Sequence, residues 1–398
     1  MKDSISGILS GITLSNVDDL NPTLERAVAT LVQKADIPEA SGIQNITLYS
    51  GVFDYECDER IFGTAITDIR PQGITRNPSD FVVKTDQETF DRTKDMYYPS
   101  GTMSTFQYEN GVPIIRIAAP FPKQQVIIDP MSAIGDSPNQ WVAAGSASNL
   151  AVDSTVFYAT PASLRFTLTG SSVGTITKTL ISSLDMSDYE GVGVAFLAIF
   201  IPTGATADDL TGISLRLGSD SSNYSFVTAT QGFLGNWVAG QWLLVAFDFA
   251  SATDTLSPDW SAIDYVQVRL THSSTFTNFR LGGLWMSFPT PAQILYQSSA
   301  VFLAVDSTSP TTTITDNDDT IILTDAAYNI YLQEAALAVL QNVGSSAADA
   351  TRIAINQKLD GSGNDVGLYA LFRGDNPSQE LRTIGSYYDN SPGYNSRC

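Results

Sequence analysis

The chain is short of histidine, cysteine and basic charge, and each shortage closes off a class of chemistry. One histidine, His272, occurs in 398 residues. A Ser-His-Asp or Cys-His centre would have to use it, yet no G-x-S-x-G nucleophile elbow lies nearby. It ends the segment DYVQVRLTH and reads as a surface or strand-end residue. The two cysteines, Cys57 and Cys398, stand far apart, which fits neither a disulfide framework nor zinc-ligand spacing. Lys and Arg total 21 against 42 Asp and Glu, a net charge of −21. That field repels phosphate backbones, so nucleic acid is not an expected partner, and it favours solubility. No lysine falls between Lys178 and Lys358. P-loop and dinucleotide fingerprints are missing too. The longest apolar run, GVGVAFLAIFIP (191–202), is too short for a membrane helix; its β-branched and aromatic residues suit a buried strand. MKDSISGILSGITLS lacks the basic and apolar regions of a signal peptide. The expectation is a soluble, unexported protein made in a reducing cytoplasm, with no membrane partner.

What is present is a large hydrophobic content, 43% of residues, in a chain long enough for two or three domains. NPTLERAVATLVQKAD reads as a helix with Asn21 as N-cap and Pro22 at its first position, placing Leu24, Val28, Leu31 and Val32 on one face. Short strand-like pieces follow, separated by turns: NITLYSGVFDYEC, GTAITDIRP, DFVVKT, GVPIIRIAAP and QQVIID. RTKDMYYPSGTMSTFQYENG between them reads as a hairpin or a long loop. From about residue 145 Ser, Thr and Gly rise, and strands come at near-regular spacing, the pattern of a β-sandwich. Alternation in ISLRLG turns Ile213, Leu215 and Leu217 inward and Ser214 and Arg216 outward. After residue 289 two helices are expected, TDAAYNIYLQEAALAVLQNVG and SAADATRIAINQKLDG. Ser346 and Asp349 pair as a capping box on the second, and Gly361 stops it.

Neither the N-terminal helix with its strands nor the C-terminal helices can bury much alone. The expected organisation therefore joins residues 1–140 and 290–398 into one mixed domain, with a sandwich at 145–289 inserted in it.

Candidate chemistry is sparse. Carboxylates are plentiful, but no pair is marked as a glycosidase acid and base, and runs such as DNDD (316–319) suit turns. DGSGND (360–365) begins like a calcium loop. It has Asp365 where such a loop needs Gly and Leu371 where it needs Glu, so a helix stop fits better. A structural calcium in the sandwich stays open without a position; no cofactor, metal site or catalytic residue is expected. Trp141, Trp237, Trp242, Trp260 and Trp285 all fall in or near the sandwich. Trp242 and Trp285 lie in strands and suit core packing. Trp237, in the loop LGNWVAG, is the candidate for an exposed sugar-stacking ring.

The stretch NWVAGQWLLVAFDFASATDTLSPDWSAIDYVQVRLTHSS resembles non-catalytic, carbohydrate-binding-module-like jelly rolls. In these a W-x-x-hydrophobic-x-F-D strand leads into P-D-W-S-A-I-D-Y and a further strand. The resemblance implies an all-β jelly roll over about 140 residues; weak adhesion to a host-surface glycan is a subsidiary expectation, motivated by Trp237 and the Ser/Thr-rich turns. The flanking parts, NITLYSGVFDYECDERIFGTAITDIRPQG, GVPIIRIAAP and GLYALFRGDNPSQELRTIGSYYD, are similar in texture and order to tailed-bacteriophage virion proteins, most of all head–tail connector (neck, adaptor) subunits. This implies an α+β multidomain chain: a jelly roll inserted in a mixed helical and β connector-like domain, located in the virion, without enzymatic role. It implies a homo-oligomeric ring on the portal and other neck or tail proteins. Tyr369, Phe372, Arg373, Arg382, Tyr387 and Tyr388 would then dock on a partner, packing against the chain's own helices being the alternative. A receptor-binding or capsid-decorating adhesin is the competing expectation.

Overall fold

The computed structural model describes residues 8–9, 21–57 apart from 36, 38 and 39, 61–71, 82–84, 102–109, 112–117, 125–304 apart from 160 and 299, 307, 310, 311, 313, 314, 319–340, 346–362 and 365–375. The chain forms two compact units, one of residues 1–46, 55–118 and 291–398, the other of 47–54 and 119–290.

The first unit is mixed. Its helix Asn21–Lys34 buries Leu24, Val28, Leu31 and Val32, the face that its apolar spacing anticipates. These side chains join one core with Ile330, Tyr331, Val339 and Leu340 of helix Asp325–Leu340 and Ile355 and Leu359 of helix Ser346–Asp360. Gly361 follows at φ +89°, the left-handed conformation that ends a helix cheaply only with glycine. The strands form a three-stranded sheet in the order Ser41–Leu48, Thr290–Ser298, Ile61–Pro71. Asp54–Glu56, Val112–Ile117, Thr102–Glu109 and Val82–Lys84 form a four-stranded sheet. The segment read as hairpin or loop thus supplies strand Thr102–Glu109, turned antiparallel onto Val112–Ile117.

The second unit is a β-sandwich of two six-stranded sheets. One runs Trp242–Asp248, Val194–Phe200, Phe276–Ser287, Ser163–Leu168, Ala147–Asp153, with Gln125–Asp129 also paired to Phe276–Ser287. The other runs Thr253–Thr255, Tyr224–Ala229, Leu210–Gly218, Ile263–His272, Ser172–Leu184, Val142–Gly145. Every pairing is antiparallel, and the chain passes repeatedly from one sheet to the other, as in a jelly roll. Ile213, Leu215 and Leu217 are fully buried between the sheets, in one core with Ala195, Leu197 and Ile199, while Ser214 and Arg216 point out. Each such aliphatic side chain contributes about 1.5–3 kcal/mol by leaving water.

The sandwich begins earlier than the Ser/Thr-rich composition indicates. Gln125–Asp129 already pairs in a sheet, and the segment 47–54 belongs to the same unit. Trp141 is 2% exposed in the core. Its indole N–H donates to Asp129 Oδ1 at 3.3 Å, and Lys178 Nζ reaches the other carboxylate oxygen at 2.7 Å.

Candidate ligand-binding face of the sandwich

Register defines what the second sheet shows on the side away from the core. Arg216 lies opposite Phe226 on one neighbour and Gln267 on the other; Ser214 lies opposite Thr228 and Arg269; Gly218 lies opposite Tyr224 and Tyr265. Gln267 faces Thr177, and Arg269 faces Thr175. Side chains alternate across a strand, so all of these share one face. Two contacts agree with it: Gln267 Nε2 donates to Thr177 Oγ1 at 2.9 Å, and the Ser214 and Thr228 hydroxyls are 2.7 Å apart.

The centre of this face is Arg216. Its guanidinium carbon lies 4.6 Å from the ring centroid of Tyr224 and 5.9 Å from that of Phe226. Tyr224 also sits 6.3 Å from Tyr265. The flat cation is therefore held against rings by quadrupole attraction and stacking, which lysine would not reproduce. Among the described residues Arg216 Nε is buried with no hydrogen-bond partner. Burial raises the Tyr265 hydroxyl above the usual phenol range, with Arg216 pulling the other way; the phenol stays protonated and can donate. Gly218 makes the turn into Tyr224 possible, since a Cβ there would stand 2.7 Å from that of Tyr224.

Carboxylates are missing from the outward positions of these strands. Asp254 and Asp264 occupy alternate positions, and Asp254 accepts a hydrogen bond from the buried Ser225 at 2.5 Å. Asp220 is engaged by Ser222 and Asn223 of its own turn.

The other sheet carries a longer row of rings on its outer side, with a different character. Phe200, Trp242, Tyr158, Trp285 and Phe196 follow one another at centroid distances of 5.6, 5.8, 6.3 and 5.8 Å. Tyr49 and Phe233 close on Phe196 at 5.0 and 5.6 Å. Phe196 is fully buried, and Trp285 donates its indole N–H to Ser50 O at 3.0 Å. This row fastens the segments bearing Tyr49, Tyr158 and Phe233 to the sheet. Burial, with the Asp54 charge second, pushes the Tyr158 hydroxyl up to about 12. At the row's end Arg280 pairs with Asp153 at 2.9 Å and lies 5.2 Å from the Phe200 centroid. Hydrogen bonds from Thr155 first, then from Arg280 and Val156, outweigh burial and hold the Asp153 carboxyl well below the usual carboxylate range.

The residues singled out in the sequence fall elsewhere. Trp237 is not an exposed stacking ring: it is 7% exposed and belongs to the core between the sheets. Its loop folds inward, and the indole is apolar enough to be drawn under it. Trp260 is also core, Trp285 is buried on the outer side of its sheet, and Trp242 is half-buried there. His272 ends a strand but is not on the surface; it is 3% exposed, with Nε2 2.6 Å from Ser146 Oγ and Nδ1 2.7 Å from Ser274 O. Both ring nitrogens are taken by these neighbours. Tyr369 is buried, and its hydroxyl donates to Glu334 Oε1 at 2.5 Å, so it packs on the chain's own helices. Phe372 and Arg373 lie in helix Leu368–Asp375, while Arg382, Tyr387 and Tyr388 lie outside the described residues. Among the described residues no cluster of three His, Cys, Asp or Glu side chains could hold a metal ion, and no helix is long and apolar enough to cross a membrane. The signal for the Arg216 face was present in the outward position of Arg216, but its aromatic neighbours come from another strand and need the register.

The sequence matches no protein-family model and no curated protein. In structure the chain is similar to an arabinose-bound α-L-arabinofuranosidase, at 13% identity and TM-score 0.31, over 42% of this chain and 26% of that one. The matched part thus spans about a quarter of that enzyme's length. It is similar to the family 11 carbohydrate-binding module from Clostridium thermocellum in complex with a β-1,3-1,4-mixed-linked tetrasaccharide, at 13% identity and TM-score 0.30, over 41% of this chain and 95% of that one. A family 30 carbohydrate-binding module of a Clostridium thermocellum cellulosomal cellulase matches at 19% identity and TM-score 0.28, over 42% of this chain and 96% of that one.

Proposed function

We propose that this chain is a glycan-binding protein: its β-sandwich presents the Arg216 face to a sugar, and its mixed unit is the carrier. The observation that carries this reading is the outer sheet face on which the half-buried Arg216, Tyr224, Phe226, Gln267 and Arg269 are gathered by register. Sugars bind through stacking of their C–H faces on rings and through planar side chains that hydrogen-bond vicinal hydroxyls. The face supplies both, and its hydroxyl-bearing rim of Ser214, Thr175, Thr177 and Thr228 adds two-way hydrogen bonding. The proposed mode is recognition without turnover.

The setting follows the flanking resemblance. In a tailed-phage virion the sandwich would be the outward, host-facing part, and the mixed unit the part that assembles with neighbours, at the head–tail connector or as an adhesin. The burial of Tyr369 shifts the weight from the docking tail to the sandwich.

The test is a saturation titration of the intact chain against a panel of oligosaccharides. Saturable binding, weakened in Tyr224→Ala and Phe226→Ala with the fold retained by circular dichroism, supports the reading. No saturable binding to any glycan ends it. Gold labelling of virus particles with an antibody to the sandwich would separate the two virion positions.

A further inference from the structure

We infer that the ligand of the Arg216 face is an acidic glycan, one bearing a carboxylate or a sulfate ester. The inference rests on the glycan-binding reading and narrows it.

Acidic residues outnumber basic ones 42 to 21 in this chain, yet the outward positions of strands Tyr224–Ala229, Leu210–Gly218, Ile263–His272 and Ser172–Leu184 hold two arginines and no carboxylate. Neither Arg216 nor Arg269 forms an ion pair among the described residues, whereas Lys34, Lys178, Arg280 and Arg352 each do. Each hydroxyl of a neutral sugar donates as well as accepts, and a site built for it gains from carboxylate acceptors. This face offers donors that accept nothing, the guanidinium N–H groups of Arg216 and Arg269. The complementary ligand group is acceptor-only and negative.

Spacing agrees. Ser214 lies opposite Arg269, which makes Arg216 and Arg269 diagonal neighbours across the strand pair. Such positions are about 7–8 Å apart, a span that one acidic sugar residue and the next can bridge. Tyr224 and Phe226 hold the Arg216 fork in place, so less rotamer freedom is lost when it binds.

The experiment is calorimetry on the intact chain with three probes of matched length: an oligogalacturonate, a sulfated oligosaccharide and a neutral galacto-oligosaccharide, each at low and physiological salt. One or both acidic probes should bind at least about tenfold tighter than the neutral one, and added salt should weaken them alone. Which acidic probe wins distinguishes carboxylate from sulfate. Arg216→Gln and Arg269→Gln should each lower acidic affinity about tenfold or more, and Arg216→Lys should fail to restore it fully. Equal binding of neutral and acidic probes, unmoved by salt and by either Gln variant, overturns this inference and leaves the glycan reading intact. Binding of none overturns both.

Discussion

The ring of Trp242 rests on Gly282. A Cβ there would stand 2.8 Å from the indole Cη2 and 2.9 Å from Tyr158 Cβ. The missing side chain is what leaves room for the Trp242 ring at this point of the row. Gly282→Ala should therefore destabilise the protein by about 1–3 kcal/mol, because the ring must shift and the Tyr158 backbone with it. Chemical denaturation would show this as a lower midpoint at unchanged slope; an unaltered midpoint would mean that the row is loosely packed.

Asp153 provides a pH signature. Its folded pKa is depressed by hydrogen bonds from Thr155 and by Arg280. Its stabilising contribution is thus complete above the unfolded value of about 3.9, and is lost as pH falls below that toward the folded value. Asp153→Asn should cost about 1–3 kcal/mol at neutral pH by taking the carboxylate from the half-buried Arg280, which keeps its bond to Asn278 O. Thermal melts from pH 7 to pH 2.5 should show the gap between wild type and variant closing only in the most acidic samples. A gap that stayed constant would detach Asp153 from acid stability.

Trp237 has a buried indole N–H with no acceptor among the described residues. An unsatisfied buried donor carries a desolvation cost of about 1–3 kcal/mol. Trp237→Phe removes that donor and also some ring volume, so the two effects oppose. The expected melting temperature is close to or above wild type, and glycan affinity should not move. A large loss of binding would return Trp237 to the ligand site.

Tyr369 and Lys34 both reach Glu334 Oε1, at 2.5 and 2.8 Å, and Lys34 Nζ sits 5.4 Å from the Tyr369 ring centroid. Tyr369→Phe should cost about 1–3 kcal/mol of stability, since a 5% exposed carboxylate loses a donor. A variant of full stability that fails to assemble with other proteins would restore Tyr369 as a docking residue.

Much of the architecture can be read from the sequence because its signals are local. The helix at Asn21 carries its own cap and apolar face, and ISLRLG states its alternation within six residues. What could not be read depends on partners distant in the chain. Trp237 sits between glycines that suit an exposed loop, and only the tertiary fold draws it inward. Arg216 was legible as outward-facing, but its setting comes from Tyr224 and Phe226 one strand away and Gln267 on the other side. The early start of the sandwich was hidden because QQVIID has the texture of the strands before it and pairs with one about 160 positions later.

The segment 47–54 is bonded into the sandwich at both sides of Ser50. Ser50 receives the Trp285 indole N–H, and its own N–H donates to Ser287 Oγ at 2.8 Å. The sandwich is therefore assembled from two separate stretches, and the chain passes between units at 46/47, 54/55, 118/119 and 290/291. It is not a cassette. A transplant of 119–290 into another carrier would leave behind the strap that caps its aromatic row. Cuts at 118/119 and 290/291 alone would separate the sandwich from its first stretch, so exchanging the whole unit requires both pieces.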